Sequence, residues 1–321
     1  MSFLEKRSLL LAKVEVTYGT DPVPAPATDA ILVNNPQVRP TGEVLRREFQ
    51  RSSLSPLPHV IGLKESELTF STELKGSGTA NAGGAGDIPE IDPLLQACGM
   101  NPTFTAESSG GAGDGDITYN PVSSSLKSVT LYWYNDGLLH KLLGAVGNMR
   151  INGEAGQFGT IEWTFRGLYV DPTDADIPGG AVFNAEQPPI LNGISMSVHS
   201  YQGAIQAFAV ELANEIARRN SVNAATGVVG FLVTGRDTQG SMNPEQVKEA
   251  THDFWAKWKA ATQGALSMTI GTVAGAKIDI TAPKVQYREL TGGARDGVRI
   301  YDVPLTLAQN SGDDELALKF Y

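Results

Sequence analysis

The residues of this chain that could carry chemistry are few and scattered. Its four histidines, His59, His140, His199 and His252, stand far apart in the sequence. None falls in the His-Glu-x-x-His spacing that sets two metal ligands on one helix face. The single cysteine, Cys98, has no partner visible in the sequence and reads as a small buried hydrophobe. Gly271-Thr272-Val273-Ala274-Gly275-Ala276-Lys277 has the glycines of a phosphate loop but lacks the Gly-Lys-Ser/Thr end that holds phosphate and magnesium, so a hairpin turn is expected there. Asp171, Asp174 and Asp176 are interrupted by proline and lack the bidentate glutamate of a calcium loop, which makes them a solvated linker. Asp313-Asp314-Glu315 offers paired carboxylates for acid–base work, but Leu316, Leu318 and Phe320 alternate behind it, as in a charged turn entering a terminal strand. No catalytic residue, cofactor or metal is expected, and the chain reads as a structural protein and not an enzyme.

The elements that hold these residues are β-rich. Thirty-five glycines and 18 prolines punctuate short β-prone runs, a pattern of many strands and turns and not of a helical bundle. In the clearest run, Leu68, Phe70, Thr72 and Leu74 alternate with Glu67, Thr69, Ser71 and Glu73, the period-2 signature of a half-buried strand. Further runs lie at 128–134, 149–152 and 159–169. Residues 1–30 combine a short apolar stretch at 9–16 with a proline-held extended segment, and are expected to form an arm. The segments 76–86 and 108–115 are so rich in glycine and small residues that ordering is expected only against a neighbouring subunit. Between them lies a short helix candidate at 93–97, with Asp92 as its expected N-cap and Gly99 at its end.

With 321 residues, 41% of them hydrophobic, the chain can bury a sizeable core. The formal net charge of −10, from 35 acidic and 25 basic side chains, argues against a surface built to grip nucleic-acid phosphates but permits one that DNA merely passes. No apolar run approaches the roughly 20 residues of a membrane-spanning helix, so no membrane role is expected. One cysteine, and an opening Met1-Ser2-Phe3-Leu4-Glu5-Lys6-Arg7 without the layout of a signal peptide, lead to the expectation of assembly in a reducing cytoplasm.

The second half of the sequence replays the first. Glu48-Phe49-Gln50-Arg51 matches Glu215-Ile216-Ala217-Arg218, Val60-Ile61-Gly62-Leu63 matches Val228-Val229-Gly230-Phe231, and Lys75-Gly76-Ser77 matches Gln239-Gly240-Ser241. The helix after Asp92 corresponds to one after Asp253 that carries Phe254, Trp255 and Trp258, and three strands follow in each half. The expected organisation is therefore an N-terminal arm (1–30), a β domain (31–171) with a glycine-rich insertion at 101–127, a linker (172–190) and a second β domain (191–321). The segment 205–219 is alanine-rich and on its own reads as an amphipathic helix; only its place in the repeat argues for a strand.

Three stretches carry a family resemblance. They are Ala12-Lys13-Val14-Glu15-Val16-Thr17-Tyr18-Gly19-Thr20-Asp21-Pro22, the strand-to-loop Leu63-Lys64-Glu65-Ser66-Glu67-Leu68-Thr69-Phe70, and Tyr301-Asp302-Val303-Pro304-Leu305-Thr306-Leu307-Ala308-Gln309-Asn310 ahead of Gly312-Asp313-Asp314-Glu315-Leu316. In these the chain resembles the major tail tube proteins of long-tailed, non-contractile (siphovirus-type) bacteriophages. The resemblance implies a mainly β fold, here two tandem tail-tube-like β-sandwich or barrel repeats, each with one short flanking α-helix. It also implies a homo-oligomer of stacked rings, tape measure and tail terminator proteins as partners, and double-stranded DNA passing through the lumen without specific binding. Family subunits have a single such domain and form hexamers; two fused domains imply a pseudo-hexameric trimer.

Candidate lumen residues are the acids of polar strand faces, Glu48, Glu67, Glu73, Glu215 and Asp237, because acidic walls keep a polyanion from sticking. Ring stacking needs features that reach along the axis: Tyr18 and Asp21 in the arm, Ser52, Pro56 and His59 in one loop, Asn220 and Asn223 in the other. Two alternatives stay open. One is the tube of a contractile injection or secretion system. The other is a β-sandwich carbohydrate-active protein, which would present an aromatic platform from Trp133, Trp163, Trp255 or Trp258.

Overall fold

The computed structural model describes residues 4, 6–79, 88–106 and 115–321. Most of the two glycine-rich runs, at 80–86 and 108–114, lies outside the described residues. The first half contains β1 (Ser8–Val14), α1 (Pro26–Asp29), β2 (Ala30–Ile31), β3 (Asn34–Leu45), β4 (Val60–Glu73), α2 (Asp92–Ala97), β5 (Met100–Thr105), β6 (Asp116–Pro121), β7 (Val129–Asn135), β8 (Gly137–Glu154), β9 (Thr160–Tyr169) and β10 (Thr173–Ala175). The second contains β11 (Ser195–Val198), β12 (Ile205–Glu211), β13 (Asn214–Asn220), β14 (Val228–Arg236), β15 (Gln239–Pro244), α3 (Phe254–Lys259), β16 (Gly264–Ile270), β17 (Ile278–Tyr287), β18 (Thr291–Arg295), β19 (Val298–Ala308) and β20 (Ala317–Phe320). The fold is mainly β, as the glycine and proline punctuation implies.

One antiparallel path runs through both halves in the order β3-β4-β9-β8-β12-β15-β19-β17-β16-β11. Strands β7, β1 and β2 continue from the first part of β8, and β20, β6 and β5 from the first part of β17. Alternation fixes which face is buried. Leu68, Phe70 and Thr72 of β4, and Leu74 just past its end, turn inward beside Trp163 and Phe165 of β9, whose rings stack 6.1 Å apart. The Trp163 indole N–H is satisfied by the Thr72 hydroxyl at 2.9 Å. The main core takes residues from both halves, from Leu10 and Trp163 to Phe208, Ile280 and Phe320.

The order of pairings occurs twice. Strand β4 carries β3 on one edge and β9 on the other; β9 pairs with β8, β8 with β7, and β7 with β1. In the same way β15 carries β12 and β19; β19 pairs with β17, β17 with β16, and β16 with β11. A short helix precedes β7 and another precedes β16, and the short strands β10 and β20 each pair with the start of the long strand beside them. The registers align residues differently from the sequence matches. Glu67 lies between Arg39 and Arg166, whereas Gln239 lies between Glu211 and Thr306, so Gln239 answers to Glu67 and not Lys75. The same offset pairs Glu215 with Glu43 and not Glu48.

Several local expectations differ from what forms. Leu9–Ala12 are buried and β1 pairs with β7 along its length, so this stretch of the expected arm is packed. Four consecutive apolar residues fill both faces of a doubly covered strand: Leu10 and Ala12 enter the main core, while Leu9 and Leu11 meet Ala30, Tyr132 and Leu139. Asp92 is the first residue of α2 and not its N-cap; its carboxylate accepts from the buried Tyr119 hydroxyl at 2.8 Å and from Gln96 at 2.8 Å. Asp253 does cap α3, accepting the Ala256 N–H at 2.8 Å. Gly99 closes α2 with a φ of 79°, as a C-terminal glycine should. The ambiguous 205–219 segment is two strands, β12 and β13, broken at Leu212 and Ala213, where Ala213 has a φ of 51°.

Candidate assembly surfaces

The strands of the continuous path bury one face and leave the other polar. Cross-strand registers place Ser71, Glu162, Arg150, Glu211, Gln239, Thr306 and Gln286 in one row across seven strands. Arg150 stands 4.0 Å from Glu211, and Glu67 lies opposite both Arg39 and Arg166. A groove of about 600 Å³ crosses this face where β8, β12, β15 and β19 meet, lined by Arg150, Glu154, Thr160, Ser241, Asn243 and Asp302 among others. The face carries the acids Glu67, Glu73, Glu154, Glu162, Glu211 and Asp302 and the bases Arg39, Arg150, Arg166, Lys284 and Arg288, the last of which donates to Gln239 at 2.9 Å.

Of the five sequence candidates for a lumen, Glu67 and Glu73 share this polar face. The other three stand elsewhere. Glu48 is exposed in the loop 46–59, Glu215 lies on β13, and Asp237 joins β14 to β15 beside Arg236. Sequence reasoning missed Glu154, Glu162 and Glu211, although each sits in a run with alternating polarity.

The ribbon β13–β14 is a separate two-stranded sheet that folds over one end of the polar face. Val228 and Phe231 pack on Val146, Leu63 and Leu168, and the Arg166 guanidinium lies 5.7 Å from the Phe231 ring centre. Glu65 clamps the ribbon to the sheet, with Arg166 at 2.7 Å and Arg218 at 3.6 Å. The tip of the β13–β14 hairpin lies against the β3–β4 hairpin below its 46–59 loop: the Lys64 N–H donates to Thr226 O at 3.1 Å, and a groove of about 470 Å³ between them is lined by Leu45, Leu63, Asn220, Val222 and Gly227. The fold thus brings the two expected stacking loops to one end of the molecule. Ser52, Pro56 and His59 are in the exposed or half-exposed 46–59 tip, and Asn220 and Asn223 flank the other.

Tyr18 and Asp21 are engaged within the chain. The Tyr18 hydroxyl donates to Gly144 O at 2.9 Å and accepts the Phe231 N–H at 2.7 Å, and burial pushes its pKa up. Asp21 accepts from the Tyr132 hydroxyl and from Lys141 at 3.2 Å; burial opposes its charge, but the hydrogen bonds from Tyr132, Val23 N–H and Lys141 prevail and hold its pKa low. Beneath them sits Glu15, which sequence reasoning did not single out. Its buried carboxylate accepts from Gly19 N–H and Gly144 N–H at 2.7 Å each, from Ser128 at 2.6 Å and from Thr130 at 2.7 Å. These bonds tie segment 15–21 to the bend of β8.

The other chemistry-bearing groups are structural in their contacts. Cys98 is fully buried, and burial pushes its thiol pKa far up. His199 and His252, distant in sequence, meet at Tyr287: the two rings lie 4.7 and 6.2 Å from it, and His252 Nε2 is 3.0 Å from the Tyr287 hydroxyl. Among the described residues no cluster of three or more His, Cys, Asp or Glu side chains could hold a metal ion. Trp133 and Trp163 belong to the core, whereas Trp255 and Trp258 are exposed on α3 but cross edge-on at 85° and so present no flat platform.

A comparison with curated proteins finds no match. A family model described as phage tail tube protein matches residues 5–316, nearly the whole length. With the β-rich fold, the chain therefore belongs to the phage tail tube protein family: it is a structural subunit of the virion tail that assembles with others into a tube.

Proposed function

We propose that this chain forms the tube of a long, non-contractile, siphovirus-type tail, as stacked rings of three copies. Each copy contributes two tube-like β domains, 31–171 and 191–321 joined by 172–190, so that three copies make a pseudo-hexamer. The observation that carries this reading is the double occurrence of one series of strand pairings within one continuous sheet. Oligomers close most readily by repeating one interface, and a chain that already holds two units needs half the copies.

In this reading the polar face lines the bore. The carboxylates along it repel the phosphates of double-stranded DNA leaving the capsid, so the DNA slides without specific binding. The hairpin loops at 46–59 and 221–227, with segment 15–23 at their base, reach toward the adjoining ring. Tape measure and tail terminator proteins are the partners of such a tube, and its assembly takes place in the host cytoplasm. Negative-stain electron microscopy of the concentrated protein tests the reading: it expects hollow rods or annuli with three-fold symmetry, and a particle that stays monomeric at every concentration contradicts it.

A further inference from the structure

The chain carries, inside itself, a template for the joint between copies. Strand β8 of the first half pairs with β12 of the second over Arg150–Glu154 and Glu211–Ala207. Two bonds bracket this joint: the Leu212 N–H donates to Met149 O at 3.2 Å, and the Ala155 N–H to Gln206 O at 2.8 Å. In this stretch the even-numbered residues of β12 therefore point their backbone groups at β8, and the odd-numbered residues of β8 answer them.

The counterparts of these two strands, β3 and β18, each leave one side unpaired. Among the described residues β3 pairs only with β4, and β18 only with β19. Registers against β4 and β15 set Gln37, Val38 and Arg39 where Ala209, Val210 and Glu211 lie. On the other side, Ile151 opposes Ile161 of β9 as Gly292 opposes Tyr301 of β19, so β18 continues from β17 as the second part of β8 continues from its first. The two-residue turn at Asp296 and Gly297, with φ of 50° and 83°, closes β18–β19 at Arg295 and Val298. That closure turns the backbones of Thr291, Gly293 and Arg295 toward β19 and those of Leu290, Gly292 and Ala294 toward the open side.

Resting on the ring reading above, we propose that the lateral seam between copies is an antiparallel pairing of β18 of one copy with β3 of the next, in the register of the β8–β12 joint. Val38 then lies opposite Gly292, Pro40 opposite Leu290, and Pro36 opposite Ala294. The side chains of β18 here, Thr291-Gly292-Gly293-Ala294, are small and exposed or half-exposed, so a second backbone can approach closely.

The prolines make the seam directional. Pro36 and Pro40 take the outward positions of β3 and have no N–H, which leaves Val38 as its one donor in this stretch while all three carbonyls accept. An edge of this kind is a poor partner for a second copy of itself, since both strands would lack donors. It suits a different edge that supplies them, and β18 offers the N–H groups of Leu290, Gly292 and Ala294. Heterologous pairing of two unlike edges generates rings, whereas self-pairing of one edge stops at a dimer.

Disulfide trapping tests the register, because the native Cys98 is buried and does not compete. Arg39 and Thr291 form a directly opposed pair in the proposed register, and both are exposed. The double variant Arg39→Cys with Thr291→Cys should form, on mild oxidation of assembled protein, covalent species of two and three chains. The pair Arg39→Cys with Arg295→Cys, four residues out of register, should give roughly ten-fold less, since Cα atoms more than about 7 Å apart cannot be bridged. Rods that form normally but yield no cross-link, equal trapping by the displaced pair, or covalent dimers from Arg39→Cys alone would each overturn the seam while leaving the tube intact. If the double variant and the parent both form neither rings nor rods, the ring reading fails and the seam with it.

Discussion

The side chain that organises the start of the chain is Glu15. Four donors from three separate segments converge on a carboxylate only 5% exposed, and removing it leaves two hydroxyls and two backbone N–H groups without their acceptor. Glu15→Ala is expected to lower stability by about 3–5 kcal/mol and Glu15→Gln by less, measured by denaturant unfolding with unchanged m-value. A second residue-scale test uses His252. Burial, with Lys257 and His199 nearby, pushes its pKa down to about 4, against a small opposing pull from Asp253. A histidine held neutral in the folded state binds fewer protons than in the unfolded chain, so stability is complete above about pH 6.5 and declines as pH falls toward about 4. His252→Gln should flatten that acid slope in thermal melts between pH 7 and pH 4; slopes identical to the parent would contradict it. Neither residue stood out in the sequence. Glu15 lies in an ordinary alternating run, and His252 gains its environment from the nearby Phe254 together with Tyr201 and Tyr287, which other parts of the fold contribute.

At the scale of elements, the joint between the halves depends on Gly153. A Cβ there would fall 2.3 Å from the Phe208 ring and 2.8 Å from Leu191, so Gly153→Val forces apart the strands that carry the continuous sheet. The expected cost is about 1–3 kcal/mol, read as a lowered midpoint of chemical unfolding. Much of the element list was legible in the sequence because half-buried strands advertise themselves: the alternation of Leu68, Phe70 and Thr72 maps onto β4, with Leu74 one residue past its end. The helical look of 205–219 gave way because strand pairing, on both edges of β12 and on one edge of β13, outweighs the modest helix propensity of alanine. The apolar run at 9–12 misled for the opposite reason: a strand covered on both faces has no alternation to read. Of the lumen candidates, Glu67 and Glu73 fall on the polar face because they lie on that legible strand, and their neighbours on the face come from strands whose register no local pattern fixes.

At the scale of the molecule, the sheet presents one polar face and, among the described residues, two unlike edges at β3 and β18 that no strand covers, and both properties belong to a subunit and not to a finished particle. If the polar face lines a bore, reversing its charge should leave folding and assembly alone while changing what passes. Glu154→Lys with Glu162→Lys should shift stability by no more than about 0.5 kcal/mol each, as surface substitutions usually do, and still give rods. Phage carrying the pair should eject DNA more slowly, with the deficit relieved at high salt. The central claim, that one chain supplies two of six equivalent positions, is tested most directly by the symmetry of the tube. A cryo-electron microscopy reconstruction of assembled rods should show rings of three chains, each spanning two of six similar β domains, with β8–β12 joints and joints between copies alternating around the bore. Rings of six chains, or a bore lined by only one half of each chain, would contradict it.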